Sequence, residues 1–343
     1  MKVNQFPDRT IEIENEEYLY FGGTAYLGLP THPEFQKLLI KNILRWGTAY
    51  GSSRSANIQL SAYEDGERFL ADFIKADAAL TVSSGMLAGK LLIEILIPET
   101  DLFFHFPDTH AAIKVPNSLP VFIGEKLNPR LLDNTNEKIT ILTDSVPSFH
   151  VQPMDFSILN SISSNKEITV VVDESHSLGI LGRNGCGIYS NIDLPNIKRK
   201  IMIASLGKAF GLTGGVIASD SEFIIQMATH DTFVSSAGMN AAFVQTIADA
   251  TVIYLQQHKK LKDNLNYINT HLIKNRAVLF DPEYPLIYPE IEGINEIFTA
   301  NKIIVTNFKY PTDTKDLNRI VITANHKKKD LDTIIHFLNQ NQF

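Results

Sequence analysis

A lysine, an aspartate and a histidine stand just past the ends of two apolar runs, and their chemistry belongs together. The run Ile168-Thr169-Val170-Val171-Val172 stops at Asp173-Glu174-Ser175-His176-Ser177-Leu178-Gly179. Thirty-five residues beyond Asp173 comes Lys208, in Ser205-Leu206-Gly207-Lys208, which closes the run Ile201-Met202-Ile203-Ala204 and precedes Gly214-Gly215. Aliphatic runs that end in polar, glycine-flanked clusters are how a buried parallel strand delivers side chains to a site at its carboxyl end. A lysine amine there can form a Schiff base with an aldehyde. An aspartate at a neighbouring end can keep a pyridine nitrogen protonated, so that the ring draws electrons. Together they form the kit for holding pyridoxal 5'-phosphate (PLP). Crowding by the cofactor lowers the lysine pKa and makes its amine nucleophilic.

The same residues have plainer readings. Asp173 follows an apolar run, where an unpaired carboxylate is costly, and a pyridinium partner resolves that cost. It could instead cap the next helix. His176 could reach the phenolic oxygen of the cofactor or serve as a structural histidine. Lys208 draws its weight from its partners, since a lone lysine in a glycine-rich turn is usually solvated.

Further clusters must be brought to the same edge by the elements that carry them. Ser83-Ser84-Gly85, Pro107-Asp108-Thr109-His110 and Asp144-Ser145-Val146-Pro147-Ser148 each follow an apolar run. With the two above, five strand ends would line one edge of an open α/β sheet, where ligands bind. Ser84, Gly85 and Met86 open a helix whose free amides suit the cofactor phosphate, and read equally as a plain N-cap. Ser205 is placed to help bind that phosphate; His110 is a candidate to stack on the ring, and reads otherwise as an incidental loop histidine. Strands are predicted at 78–83, 101–105, 120–123, 139–143, 168–172, 201–204 and 215–218, with helices at 33–46, 63–74 and 86–97. A hairpin opens the chain around Asn15-Glu16. A long helical stretch is expected over about 240–275, then a strand at 319–323 and a helix at 329–340. This is an α/β protein with a large, mainly parallel seven-stranded sheet. Residues 1–45 form an N-terminal arm and small-domain segment, 46–240 the large PLP-binding domain and 241–343 a smaller C-terminal α/β domain.

Composition narrows the partners. The chain has 343 residues, 44% of them hydrophobic and 20% charged, with a net charge of −7 and no extended basic block, so no nucleic acid is expected. One cysteine, Cys186, excludes an intrachain disulfide and suits a reducing cytosol. The N-terminus lacks a secretory pattern and no apolar stretch is long enough to span a bilayer, so a soluble, cytoplasmic protein is expected. The ten histidines show no metal-ligand spacing, and no metal is expected.

With these residues in view, the chain resembles the α-oxoamine synthases, a family of fold-type I PLP-dependent transferases related to the class II aminotransferases. Tyr26-Leu27-Gly28-Leu29 matches the family's YLGL and His32-Pro33 its HP. Tyr50-Gly51-Ser52-Ser53-Arg54 is similar to its Gly/Ser-rich loop, and Glu67-Arg68-Phe69-Leu70-Ala71 to its LExxLA helix. The Asp173–Gly179 segment matches DEAHSxG with one change, Ser205–Lys208 matches the segment of the Schiff-base lysine, and Arg319–His326 is similar to RxxxxAxH.

The resemblance implies a homodimer with shared active sites that joins an amino acid to an acyl-CoA or other acyl thioester. The amino acid loses its Cα proton, the carbanion attacks the thioester, and a β-keto acid loses CO2. It implies Lys208 as Schiff base and proton-transfer group, Asp173 on the ring nitrogen, His176 on the phenolic oxygen, His110 stacked on the ring and Ser148 beside it. Arg319 would bind the substrate carboxylate, and Ser235 and Ser236 the phosphate in the partner subunit. The chain departs from the pattern at Thr24-Ala25, where the family has Asn-Asp, at Met86, where an aromatic is common, and at Ser148-Phe149-His150, where Ser-Met-Asp is usual. Thr24 thus stands where an asparagine helps hold the substrate carboxylate. Two other readings use the same residues: a PLP-dependent aminotransferase on an amino/keto acid pair, and a non-catalytic PLP-fold partner subunit.

Overall fold

A computed structural model describes residues 1–193, 196–273, 277–291, 293–308 and 317–340. The chain opens with strands β1 (Thr10–Ile13) and β2 (Glu16–Phe21), then helices α1 (Pro33–Trp46) and α2 (Ser61–Ile74). Next come β3 (Ala78–Val82), α3 (Gly85–Leu96), β4 (Leu102–His105), β5 (Leu119–Pro120), β6 (Phe122–Ile123), β7 (Lys126–Leu127) and the single turn α4 (Pro129–Leu132). Then follow β8 (Glu137–Asp144), β9 (Lys166–Asp173), β10 (Ile197–Ser205) and β11 (Gly215–Ser219). Helices α5 (Ser221–Thr229), α6 (Asp231–Ser235), α7 (Ala241–Asp249) and α8 (Thr251–His271) lead to β12 (Val278–Phe280), β13 (Leu286–Pro289), α9 (Ile294–Ala300), β14 (Ile303–Phe308), β15 (Leu317–Val321) and α10 (Lys328–Gln340).

The main sheet has seven strands in the order β3-β11-β10-β9-β8-β4-β5. Its central pairs are parallel, while β11 runs antiparallel to both β10 and β3. Strand period explains why its runs are apolar throughout: successive side chains serve opposite faces, and both faces are covered. Val170 and Val172 of β9 pack in one core cluster with Met202 and Ala204 of β10. Val171, Ile201 and Ile203 pack in the other, with Leu91, Leu92 and Ile95 of α3 and Phe223 of α5.

One expectation needs correction and another gains detail. The segment 120–123 is not one strand: β5 adds to the main sheet edge, and β6 leaves it to pair with β7. The long helical stretch expected over about 240–275 breaks at Ala250, where φ is −91° and ψ 11°, so that α7 packs on α1 and α2 while α8 packs on α10. Helical periodicity continues across such a break because both helices bury a face. Residues 274–275 of that expectation lie outside the described residues.

The second sheet has the order β1-β2-β14-β15-β13-β12, so the first hairpin of the chain pairs with strands from its last third. β2 meets β14 in parallel, with Leu19 opposite Ile303 and Phe21 opposite Val305. The closure is braced by Arg9, whose Nε and Nη2 donate to the two carboxylate oxygens of the buried Asp330 at 2.8 and 3.0 Å. Asp330 also accepts from the amide of Lys327 at the start of α10.

Candidate functional site

The five polar clusters follow strands that run in one direction. β3, antiparallel to β11, points the same way as β10, β9, β8 and β4. Register then sets neighbours: Asp144 and Asp173 are paired at the ends of β8 and β9, and Ile203 of β10 lies opposite Asp173.

Asp173 is buried, and its Oδ1 accepts from the amide of Ser175 at 2.9 Å. Beside it, Asp144 Oδ2 accepts from the amide of His110 at 2.7 Å. Burial, reinforced by the charge of Asp173, raises the pKa of Asp144 well above the usual carboxylate range. In the sequence Asp144 belongs to one of the polar clusters and carries no role of its own. Its signal was positional: two acids in register at adjacent strand ends.

Lys208 feels the charge of this carboxylate pair. Burial brings its pKa down to about 8, with Asp173 opposing the shift and Arg319 adding to it. Its Nζ lies 2.7 Å from Nε2 of His176, and the other ring nitrogen, Nδ1, lies 2.8 Å from the hydroxyl of Tyr26. Burial, then the charges of Lys208, Arg319 and His110, hold His176 well below its ordinary pKa, so the ring is neutral. His110 opens onto the same cleft on an exposed loop, its Nδ1 accepting from the amide of Ala112 at 3.2 Å. Its pKa is lowered by partial burial, with Asp173 opposing.

An anion cradle adjoins the lysine. Ser84 caps α3 by accepting from the amide of Leu87 at 3.1 Å. Among the described residues the amides of Gly85 and Met86 donate to no protein acceptor, as expected of a first helical turn. A Cβ at Gly85 would lie 2.9 Å from that of Ser205, so glycine is what lets the helix start touch the end of β10. Ser205 is held there by its own amide, which donates to Ser175 Oγ at 2.8 Å. Met86 is 47% exposed at this turn.

Arg319 comes from β15 of the second sheet. It is 9% exposed, its Nε is buried without a hydrogen-bond partner, and no carboxylate of the described residues is within ion-pair distance. Burial opposes its charge, while Tyr26, Tyr288 and Tyr284 surround and favour it. A buried guanidinium in that state is costly until an anion arrives. Tyr288, in the uniformly buried β13, and Tyr284, in the turn before it, give no sequence signal, because neither stands in a period that marks it out.

The remaining candidates are more scattered. Thr24 is half-buried and lines a cavity of about 340 Å³ with Tyr20, Gly22, Gly23, Gly207 and Thr213. Ser148 is exposed, and the next residue, Phe149, adopts φ 64° with its ring 6.0 Å from that of Tyr288. Ser235 and Ser236 close α6, where Ser236 Oγ donates to Thr232 O of the same turn. Among the described residues no hydrogen bond ties either serine to the lysine cluster. Among the described residues no group of three His, Cys, Asp or Glu could hold a metal, and no helix is long and apolar enough to cross a membrane.

The donor set fits PLP: a poised amine, paired acids for a ring nitrogen, and open amides with Ser84 and Ser205 for a phosphate. Comparison with known proteins points the same way. A family model described as aminotransferase class I and II matches residues 152–338, a stretch that contains Asp173, His176, Lys208 and Arg319. An 8-amino-7-oxononanoate synthase of Petrotoga mobilis is 29% identical over 352 residues, covering 94% of this chain and 88% of that protein. A solved Sphingomonas wittichii serine palmitoyltransferase superposes with a TM-score of 0.80 at 17% identity, over 97% of this chain and 89% of that one. A solved 8-amino-7-oxononanoate synthase from Francisella tularensis gives a TM-score of 0.70 at 21% identity, over 94% and 97%. The two structural likenesses establish the fold.

Proposed function

The chain belongs to the aminotransferase class I and II family, within it to the α-oxoamine synthases, and from that premise we propose that it condenses an amino acid with an acyl thioester, with loss of CO2. When bound, PLP supplies an aldehyde that captures amines and a protonated ring that takes up the electrons released at the substrate's Cα. The residues that would hold it are Lys208 at the aldehyde carbon, Asp173 at the ring nitrogen, His176 at the phenolic oxygen and His110 over the ring. Ser84, Gly85, Met86 and Ser205 would hold the phosphate, with Ser148 at the rim.

The chain's own groups then account for the rest. Arg319 presents a planar, always-charged fork to the substrate carboxylate, a job for which its geometry is preorganised. Thr24 lines the neighbouring cavity, and the same reading gives its hydroxyl a supporting contact to that carboxylate. With a pKa of about 8, the Lys208 amine can take a proton from Cα and return one near neutral pH. Asp144, whose carboxyl is held well above its ordinary pKa by burial and by the charge of Asp173, steadies the His110 loop by accepting from its amide.

The observation that carries this reading is the pairing across the cleft of a lowered-pKa lysine with a buried arginine that has no carboxylate partner among the described residues. The same reading includes a cytoplasmic homodimer in which Ser235 and Ser236 serve the partner subunit's phosphate site. The test is to load the purified chain with PLP and add glycine, alanine or serine, each with acyl-CoA. Release of CoA and CO2 with one donor is expected, together with a visible band that Lys208→Ala abolishes. Accumulation of pyridoxamine phosphate with an amino acid alone would establish an aminotransferase instead. A colourless chain indifferent to every amino acid would leave a non-catalytic subunit.

A further inference from the structure

Three polar groups from distant parts of the sequence form a single file: the buried Tyr26 Oη, the half-buried His176 ring and the half-buried Lys208 Nζ. The two gaps measure 2.8 and 2.7 Å, at hydrogen-bond distance on each side of the imidazole. Tyr26 is fully buried in the segment after β2, and its ring meets that of His176 edge-on, with centroids 6.2 Å apart. The groups that face the file are Asp173 and Asp144 from the main sheet, His110 from the loop after β4, and Arg319 from β15 with Tyr284 and Tyr288 beside it.

We propose that Tyr26 is a positioning residue that acts through the tautomer of His176 to decide whether the Lys208 amine holds or gives up its proton. The inference rests on the reading of Lys208 as the reacting amine. The imidazole is neutral, so one nitrogen is a donor and the other an acceptor. A charged Lys208 donates to Nε2, which puts the ring proton on Nδ1, and that N–H donates to the Tyr26 oxygen. A neutral Lys208 accepts from Nε2–H, and Nδ1 then accepts from the Tyr26 hydroxyl. Both hydrogen bonds survive in either state. Between them the file releases one proton to solvent, and the ring changes tautomer without becoming charged.

The hydroxyl suits both states because it can donate or accept. Phenylalanine at position 26 breaks the symmetry. It leaves a buried N–H unpaired when the lysine is charged, and only an unmet lone pair when the lysine is neutral. The orphaned donor is the costlier of the two, and the charged end loses a polarised chain. Tyr26→Phe is therefore expected to lower the proton affinity of Lys208 about tenfold, a shift of about one pKa unit.

The experiment uses the cofactor-free full chain, so its result is independent of whether PLP chemistry follows. Competitive acetylation with acetic anhydride, read at Lys208 by peptide mass spectrometry from about pH 6 to 10, gives the pKa of that amine. The expected result is a downward shift in Tyr26→Phe that is absent when the same change is made in His176→Gln, where no second ring nitrogen can relay it. An unchanged profile in Tyr26→Phe overturns the proposal, and so does an equal shift in both backgrounds. The wild-type chain supplies a measurement that needs no folded Tyr26 variant. In protein carrying 15N-histidine, the His176 proton should move from Nδ1 to Nε2 over the pH range in which Lys208 titrates, and a fixed tautomer would overturn the relay.

Discussion

Burial shapes the chemistry of Lys208. Desolvation lowers the pKa there, Asp173 pulls it up, Arg319 pushes it down again, Asp144 adds a smaller pull upward, and the balance falls at about 8. The reactive form is the free amine, so below that value each pH unit changes the reactive fraction tenfold. Capture of PLP by the cofactor-free chain should accelerate about tenfold from pH 6 to 7 and level off above about 8. Stopped-flow absorbance checks this, and a rate flat over that range would contradict it. Arg319 makes a complementary prediction. Arg319→Lys keeps the charge but loses the fork, which costs roughly 1.5–3 kcal/mol of carboxylate binding. KM for the amino acid should rise about 10–150-fold with PLP absorbance unchanged, as steady-state kinetics on the loaded chain would show. At this scale the sequence was legible wherever a residue closes an apolar run, as Asp173, His176 and Lys208 do. Tyr26 was visible only as part of a motif, because its partner lies 150 positions away.

Among the elements, the glycine-rich turn after β9 is held by one acid. Glu174 is fully buried and accepts from Ser177 Oγ, Ile188 N and Tyr189 N at 2.7, 2.8 and 2.7 Å. Burial lifts its pKa to about 7 against those three donors. A folded-state pKa raised above the unfolded one gives stability that is complete below the unfolded value and is lost as pH rises through the folded value. Unfolding free energy should therefore fall between about pH 4.5 and 7 in the wild type, and Glu174→Gln should flatten that slope in denaturant titrations. Gly187, at φ 83°, lies against this carboxylate: an added Cβ would be 2.1 Å from Oε2, so alanine should destabilise by about 1–3 kcal/mol. Strand spans were legible because both-face burial demands continuous apolar runs. The break at Ala250 was not, because the apolar period runs through it and only the packing of α7 against α1 and α2 bends the chain there.

For the whole molecule, the decisive feature is that the cleft is closed by two sheets. Lys208 rides on the first and Arg319 on the second, whose edge is the N-terminal hairpin pinned by Arg9 to Asp330. Removing Arg9 leaves the nearly inaccessible Asp330 carboxylate without its partner, so Arg9→Met should cost about 3 kcal/mol. Chemical denaturation at neutral pH measures this, and a loss under about 1 kcal/mol would show that the pair does not brace the closure. By itself the sequence determined the α/β class, the run of parallel strands and the kinds of residue at their ends, because burial and strand period are written locally. Tertiary structure alone decided that Asp144 sits beside Asp173, that Tyr26 meets His176, and that Arg319 faces the lysine ringed by three tyrosines. Those contacts depend on register between strands and on the meeting of the first and last parts of the chain, which no local pattern encodes.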